Sequence, residues 1–127
     1  MVTLYFMSIL TPEQVAAAKG WIAALRSGNY AQGHRALRTE KGFCCLGVAS
    51  DILNPEAWRN TNVAWFRWED PIEGSFWGGL SVQAANHFGL AVGAQDLLVN
   101  ANDDLGMSFE EIAADLENDL KRVRADY

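Results

Sequence analysis

Hydrophobic positions along the chain follow two different periods, and the switch between them outlines the elements. Val15, Ala18, Ile22 and Leu25 recur three or four residues apart, the spacing of one helix face. Thr11-Pro12-Glu13-Gln14 supplies the start of that helix: a Thr cap, Pro at the first helical position, and Gln three residues after the cap. Ser27-Gly28 supplies its stop. Phe43 to Leu53 is apolar almost all round, and its small Cys44, Cys45, Gly47, Ala49 and Ser50 predict a helix packed closely on both sides, ended by Asn54-Pro55. Ser81 caps a short predicted helix, Val82 to Phe88, closed by Gly89, and a break containing Gly93 follows. Behind the capping box Ser108-Phe109-Glu110-Glu111, the residues Ile112, Leu116, Leu120 and Val123 give a last helix one apolar stripe and leave acids on its other side.

The period-two signal lies in the middle. Residues 29–42 are polar, carry Gly33 and Gly42, and predict a loop with a short extended piece around Ala36 to Arg38. Trp58 to Trp77 holds six of the fourteen aromatic residues. Val63 to Trp68 and Ser75 to Gly79, separated by the turn-rich segment Glu69 to Gly74, predict a hairpin. Alternation puts Val63, Trp65 and Arg67 on one face of the first strand and Ala64, Phe66 and Trp68 on the other, so at least one face is core. Met1 to Leu10 reads either as an extra edge strand or as an extension upstream of a start at Met7. The expected architecture is one α+β domain, residues 1–127, with about four helices packed on a small antiparallel sheet or hairpin.

Composition narrows the class. The chain has 127 residues, is 50% hydrophobic and 20% charged, and contains 11 Gly and 3 Pro, which excludes a disordered, collagenous or disulfide-scaffold chain. Leu4-Tyr5-Phe6-Met7 is far short of the roughly 20 apolar residues that span a membrane. No Lys or Arg precedes Lys19, so a secretory n-region is missing and a cytoplasmic location without membrane contact is expected. The adjacent Cys44-Cys45 pair is neither a scaffold nor a CxxC zinc or redox motif. A reactive thiolate wants a basic partner and exposure, whereas Phe43, Leu46 and Val48 surround these two, so buried packing is expected.

Charge is uneven. Ten Lys+Arg oppose 16 Asp+Glu for a net charge of −6, and residues 96–127 alone carry all of it. Earlier in the chain Arg26, Arg35, Arg38 and Lys41 face only Glu40, with His34 beside them. An acidic whole with one basic loop argues against duplex nucleic acid, which needs a broad Lys/Arg surface, and leaves room for a small anionic ligand. His34 and His87 are too isolated for a metal site. Asn100-Ala101-Asn102-Asp103-Asp104 lacks the Asp-x-Asp-x-Asp-Gly run of a calcium loop and reads as capping and turn bonding. No metal or other cofactor is expected. GxSxG, HExxH and a phosphate loop with Lys and Ser/Thr are missing, so the chain reads as non-enzymatic.

The strongest functional signal combines Arg35 and Arg38 with the hairpin tryptophans Trp65, Trp68 and Trp77. Guanidinium groups pair phosphate oxygens bidentately and indole faces stack on a base, so together they suit a nucleotide-like anion. The competing reading makes Trp58, Trp65 and Trp77 core and pairs the arginines with the acidic last helix.

Ala36-Leu37-Arg38, Phe43-Cys44-Cys45-Leu46-Gly47-Val48, the aromatic middle, Asn102-Asp103 and Ser108-Phe109-Glu110-Glu111-Ile112-Ala113 together resemble a group of small, mostly uncharacterised tailed-phage and prophage proteins. The likeness covers most of residues 11–120. The group often has Leu-Asn-Asp where Ala101-Asn102-Asp103 stands, and Leu-Pro where Leu80-Ser81 stands. The resemblance implies a phage accessory protein acting in the host cytoplasm, in a class that includes binders sequestering nucleotide-type signals of host immunity. Its motif adds Asn102 and Asp103 to the candidate ligand-binding set. A protein-interaction module inhibiting a host protein through the acidic C-terminal helix is the alternative, a small hydrolase the third reading, and homo-oligomerisation stays open.

Overall fold

Two capping boxes fix where the longest helices begin. The computed structural model describes residues 4–61 and 64–125. Its helices are α1 (Pro12–Arg26), α2 (Cys45–Leu53), α3 (Val82–His87), α4 (Ala94–Asp103) and α5 (Phe109–Leu120), with a single 3-10 turn at Pro55–Ala57. The short strands are β1 (Ile9–Leu10), β2 (Arg38–Thr39), β3 (Gly42–Phe43), β4 (Trp58–Asn60), β5 (Phe66–Asp70), β6 (Gly74–Phe76) and β7 (Arg124–Ala125). At α1, Thr11 Oγ1 accepts from the Gln14 amide at 3.1 Å while the Thr11 amide donates to Gln14 Oε1 at 3.0 Å. Ser108 and Glu111 make the same reciprocal pair at α5. These bonds satisfy amide groups that a helix start otherwise leaves without partners.

The architecture is α+β, as expected, with one helix more than the sequence pattern announces. The extra element is α4, which occupies the segment after the predicted break. Gly93 sits at its N-cap with φ +87° and no side-chain capping bond, so the usual start signal is missing. Its buried stripe is Ala94, Leu98, Ala101 and Asn102, helically spaced yet small and polar.

The core is shared between helices. Trp21, Ile22 and Leu25 of α1 are buried, and α1 packs against α5, whose Ile112 and Leu116 are buried too. Trp21 Nε1 donates to the Cys45 carbonyl at 2.9 Å, tying α1 to the start of α2. Cys44 and Cys45 are buried, in agreement with the packing expectation. Cys44 also caps α2, its Sγ accepting from the Gly47 amide at 3.4 Å. Gly47 is obligatory for a spatial reason: a Cβ there would land on the Leu37 carbonyl oxygen, so only glycine lets α2 lie directly on that backbone.

Strand pairing differs in extent from the predicted hairpin. β4, β5 and β6 form an antiparallel sheet in that order, with Trp58 opposite Trp68 and Trp68 opposite Phe76. Of the predicted first strand, Val63 lies outside the described residues, and the observed β5 runs to Asp70. β2 and β3 form a second antiparallel pair. The N-terminal segment does hold an edge strand: β1 pairs in parallel with β7. Just before it, Met7 donates to the Gly89 carbonyl at 2.9 Å and Ala91 to the Tyr5 carbonyl at 2.8 Å. Three successive amides, of Leu4, Tyr5 and Phe6, converge on the buried Asp119 carboxylate of α5 at 2.5, 2.9 and 3.0 Å. No helix among the described residues is long and apolar enough to cross a membrane.

Candidate functional site

The polar segment before β2 is an arch laid against the β2–β3 hairpin. Gly33 donates to the Phe43 carbonyl at 2.7 Å, and Phe43 donates to the Ala31 carbonyl at 2.9 Å. A Cβ on Gly33 would come within 2.8 Å of the Gly42 carbonyl, so glycine permits this backbone approach. From below, α4 fastens the arch. Asn102 is fully buried; its Nδ2 donates to the Gly33 carbonyl at 2.9 Å and its Oδ1 accepts from Gln32 Nε2 at 2.9 Å. Asp103 Oδ1 accepts from the Arg35 amide at 3.1 Å. Arg35 needs that anchor, because its φ of +70° is left-handed, a conformation costing a non-glycine residue roughly 1 kcal/mol. Asn102 and Asp103 therefore hold the arch through bonds inside the molecule.

Arg38 occupies an aromatic cage. Its guanidinium carbon lies 4.2 Å from the Phe66 ring centre, 5.0 Å from Phe43 and 5.6 Å from Trp58. Such contacts each contribute about 0.5–2 kcal/mol, depending on desolvation. Asp51 of α2 supports the cage by accepting from Tyr30 Oη at 2.6 Å and from Trp58 Nε1 at 3.0 Å. Burial, and then the hydrogen bond to Asp51, push the Tyr30 hydroxyl up to about 12. No ion pair among the described residues uses Arg35 or Arg38. The partner of the acidic helix is instead Arg26, which meets Glu110 at 3.2 Å and Glu117 at 2.8 Å.

The tryptophans divide by face. Trp65 is 48% exposed and Trp77 44% exposed, whereas Trp68 is only 3% exposed. Trp68 belongs to the core face of β5, and its Nε1 donates to the Asn54 carbonyl at 3.1 Å, so it presents no face to a ligand. Its place in the stacking set is corrected on that ground. Trp65 bridges to Thr39, while Arg38 lies over the next residue, Phe66; alternation thus directs Trp65 and Arg38 to opposite faces.

A cleft of about 360 Å³ opens between the arch and the β2–β3 turn, lined by Gln32, Gly33, His34, Thr39, Glu40, Lys41 and by Ala64, the neighbour of Trp65. Glu40 donates its amide to the Ala64 carbonyl at 3.2 Å, which closes the far wall. His34 and Lys41 are exposed, and no ion pair among the described residues involves either. Neither belongs to the site expected from sequence. Both stand in its basic segment, and the hairpin turn Thr39-Glu40-Lys41-Gly42 was the signal that would have brought them together.

These features define a small α+β protein with a polar, cation-bearing cleft at a β-turn, in which no cluster of three or more His, Cys, Asp or Glu among the described residues could hold a metal ion. The chain belongs to a family described as a domain of unknown function (DUF8296), whose model matches residues 14–120. That span runs from the first turn of α1 to the end of α5 and includes every residue lining the cleft. No curated protein and no solved structure matches the chain.

Proposed function

We propose that the protein is a non-enzymatic binder of a small anionic, nucleotide-like ligand, seated in the cleft between the arch and the β2–β3 turn. One observation carries the reading: the cleft brings His34 and Lys41, neither held by a carboxylate among the described residues, beside the strand segment that exposes Trp65. Its volume of about 360 Å³ falls in the range of small-molecule sites. Lys41 supplies a phosphate contact, the His34 ring and the Thr39 hydroxyl supply hydrogen bonds, and the exposed indole supplies a stacking face. Arg35, exposed next to His34, and Trp77 extend this solvent-facing set. Arg38, Trp68, Asn102 and Asp103 serve as frame. The sequence resemblance to small phage proteins supports reading the ligand as a host immune signal and the activity as its sequestration in the host cytoplasm.

Thermal-shift screening with ADP-ribose derivatives, mononucleotides and cyclic oligonucleotides tests this reading. A true ligand at a hundred times its dissociation constant adds about 2.7 kcal/mol of stability. Lys41→Ala should then weaken binding by about 1.5–3 kcal/mol without lowering the melting temperature of the free protein. No shift with any of these compounds, alongside a stable host-protein complex in pull-downs, would replace the reading by that of an interaction module. Turnover of a bound nucleotide would replace it by that of an enzyme.

A further inference from the structure

Between α1 and α5 runs a groove of about 500 Å³ that shares no lining residue with the cleft. Val15 and Ile22 of α1, with Leu120 of α5 and Val123 beyond it, make its walls apolar. Val15, Lys19, Ile22 and Arg26 fall on one side of α1 because they are spaced four, three and four residues apart. Lys19 and Lys121 also line the groove; both are exposed, and no ion pair among the described residues involves either. Arg26 closes on Glu117, the groove's carboxylate, at 2.8 Å. Three cations thus oppose one lining carboxylate, on a chain whose net charge is −6.

We propose that this groove binds a medium-chain fatty carboxylate, its head between Lys19 and Lys121 and its chain along Val15, Ile22, Leu120 and Val123. Two arguments favour a small ligand of this chemistry. The groove has nine lining residues, against the roughly 20–30 per side that a stable protein interface uses. Its lining joins four apolar side chains to the ammonium groups of Lys19 and Lys121, neither of them in an ion pair among the described residues, a combination that suits one anionic head on one apolar tail. Each further methylene buried should tighten binding about four-fold.

Titration calorimetry of the full chain with hexanoate, octanoate, decanoate and octanol, all below micelle-forming concentrations, tests the proposal. Expected are one site per chain, affinity rising about 16-fold for each two-carbon extension, and octanoate at least ten-fold tighter than octanol. Lys19→Gln with Lys121→Gln should remove the advantage of octanoate and leave octanol binding as it was. Ala23→Trp, at an exposed lining position, should block all four compounds, and an unchanged melting curve shows that each variant is folded. Absence of decanoate binding, equal affinity for octanoate and octanol, or full binding by folded Ala23→Trp would overturn the assignment.

Discussion

The two concavities of this molecule are built from different materials. The cleft at the β2–β3 turn is lined mostly by polar and charged residues, Gln32, His34, Thr39, Glu40 and Lys41, around the backbone of Gly33, with Asn102 and Asp103 fixing the arch from α4. The groove at α1 and α5 is walled by branched aliphatic side chains that two capped helices hold in line. Each is lined by lysines that make no ion pair among the described residues, Lys41 at the cleft and Lys19 and Lys121 at the groove. A polar wall presents donors and acceptors and suits a flat, hydrogen-bonding ligand, whereas an aliphatic wall rewards only shape and apolar area. The ligand chemistry of each site is therefore decided by what stands behind its lysines.

Because the two concavities rest on different supports, they should fail separately. The largest effect is expected at Gly47→Ala, where the added methyl meets the Leu37 carbonyl and must push α2 away from the segment that carries the cleft. A loss on the order of 4 kcal/mol in urea denaturation is predicted. A loss under about 1 kcal/mol would show that this close approach does not support the cleft. Asp119→Ala strikes the other side, leaving the amides of Leu4, Tyr5 and Phe6 without their acceptor. The expected cost is about 3 kcal/mol, with ligand affinity at the cleft unchanged in the molecules that remain folded.

Asn102→Ala sharpens the contrast further. It should cost about 2 kcal/mol by freeing the Gly33 carbonyl and Gln32. It should also weaken any cleft ligand while leaving carboxylate binding at α1 and α5 intact; equal losses at both would mean that the concavities are one cooperative unit. The smallest effect belongs to the cysteines. Burial pushes the Cys44 thiol from 9.0 up to about 11 and Cys45 well above its usual value. The folded protein therefore holds their protons more tightly than the unfolded chain, so their contribution is intact below pH 9 and declines between pH 9 and 11. Cys44→Ala should flatten that decline in urea midpoints and cost about 1 kcal/mol at pH 8. Fast modification of both thiols in the native protein would contradict their burial.

The helical part was legible because its signals are local. Thr11 with Gln14 and Ser108 with Glu111 announce α1 and α5 within four residues each, and the observed bonds are the ones those residues predict. α4 was not legible, since Gly93 caps it by conformation alone and its buried face ends in Asn102. β4 escaped for a different reason: three residues have almost no pattern, and what fixes Trp58–Asn60 is the pairing of Trp58 with Trp68, across a segment the sequence does not align. For the same reason residue types identified an Arg and Trp site without saying which tryptophans face water. Only the register separates Trp65 from Trp68. His34 and Lys41 came together through the hairpin turn, a relation that composition reported as local charge and nothing more.

The bonds to Asp119 also order events during synthesis. Leu4, Tyr5 and Phe6 leave the ribosome ahead of the helices they pack on, yet the carboxylate that receives their amides follows 113 to 115 residues later. β1 waits longer still, for β7 at Arg124 and Ala125. Until then Tyr5, Phe6 and Leu10, all buried at the end, have no completed place to go. The segment before α1 is thus the last part of the fold to be sealed, and a nascent protein halted before α5 would display those side chains to whatever chaperone attends it.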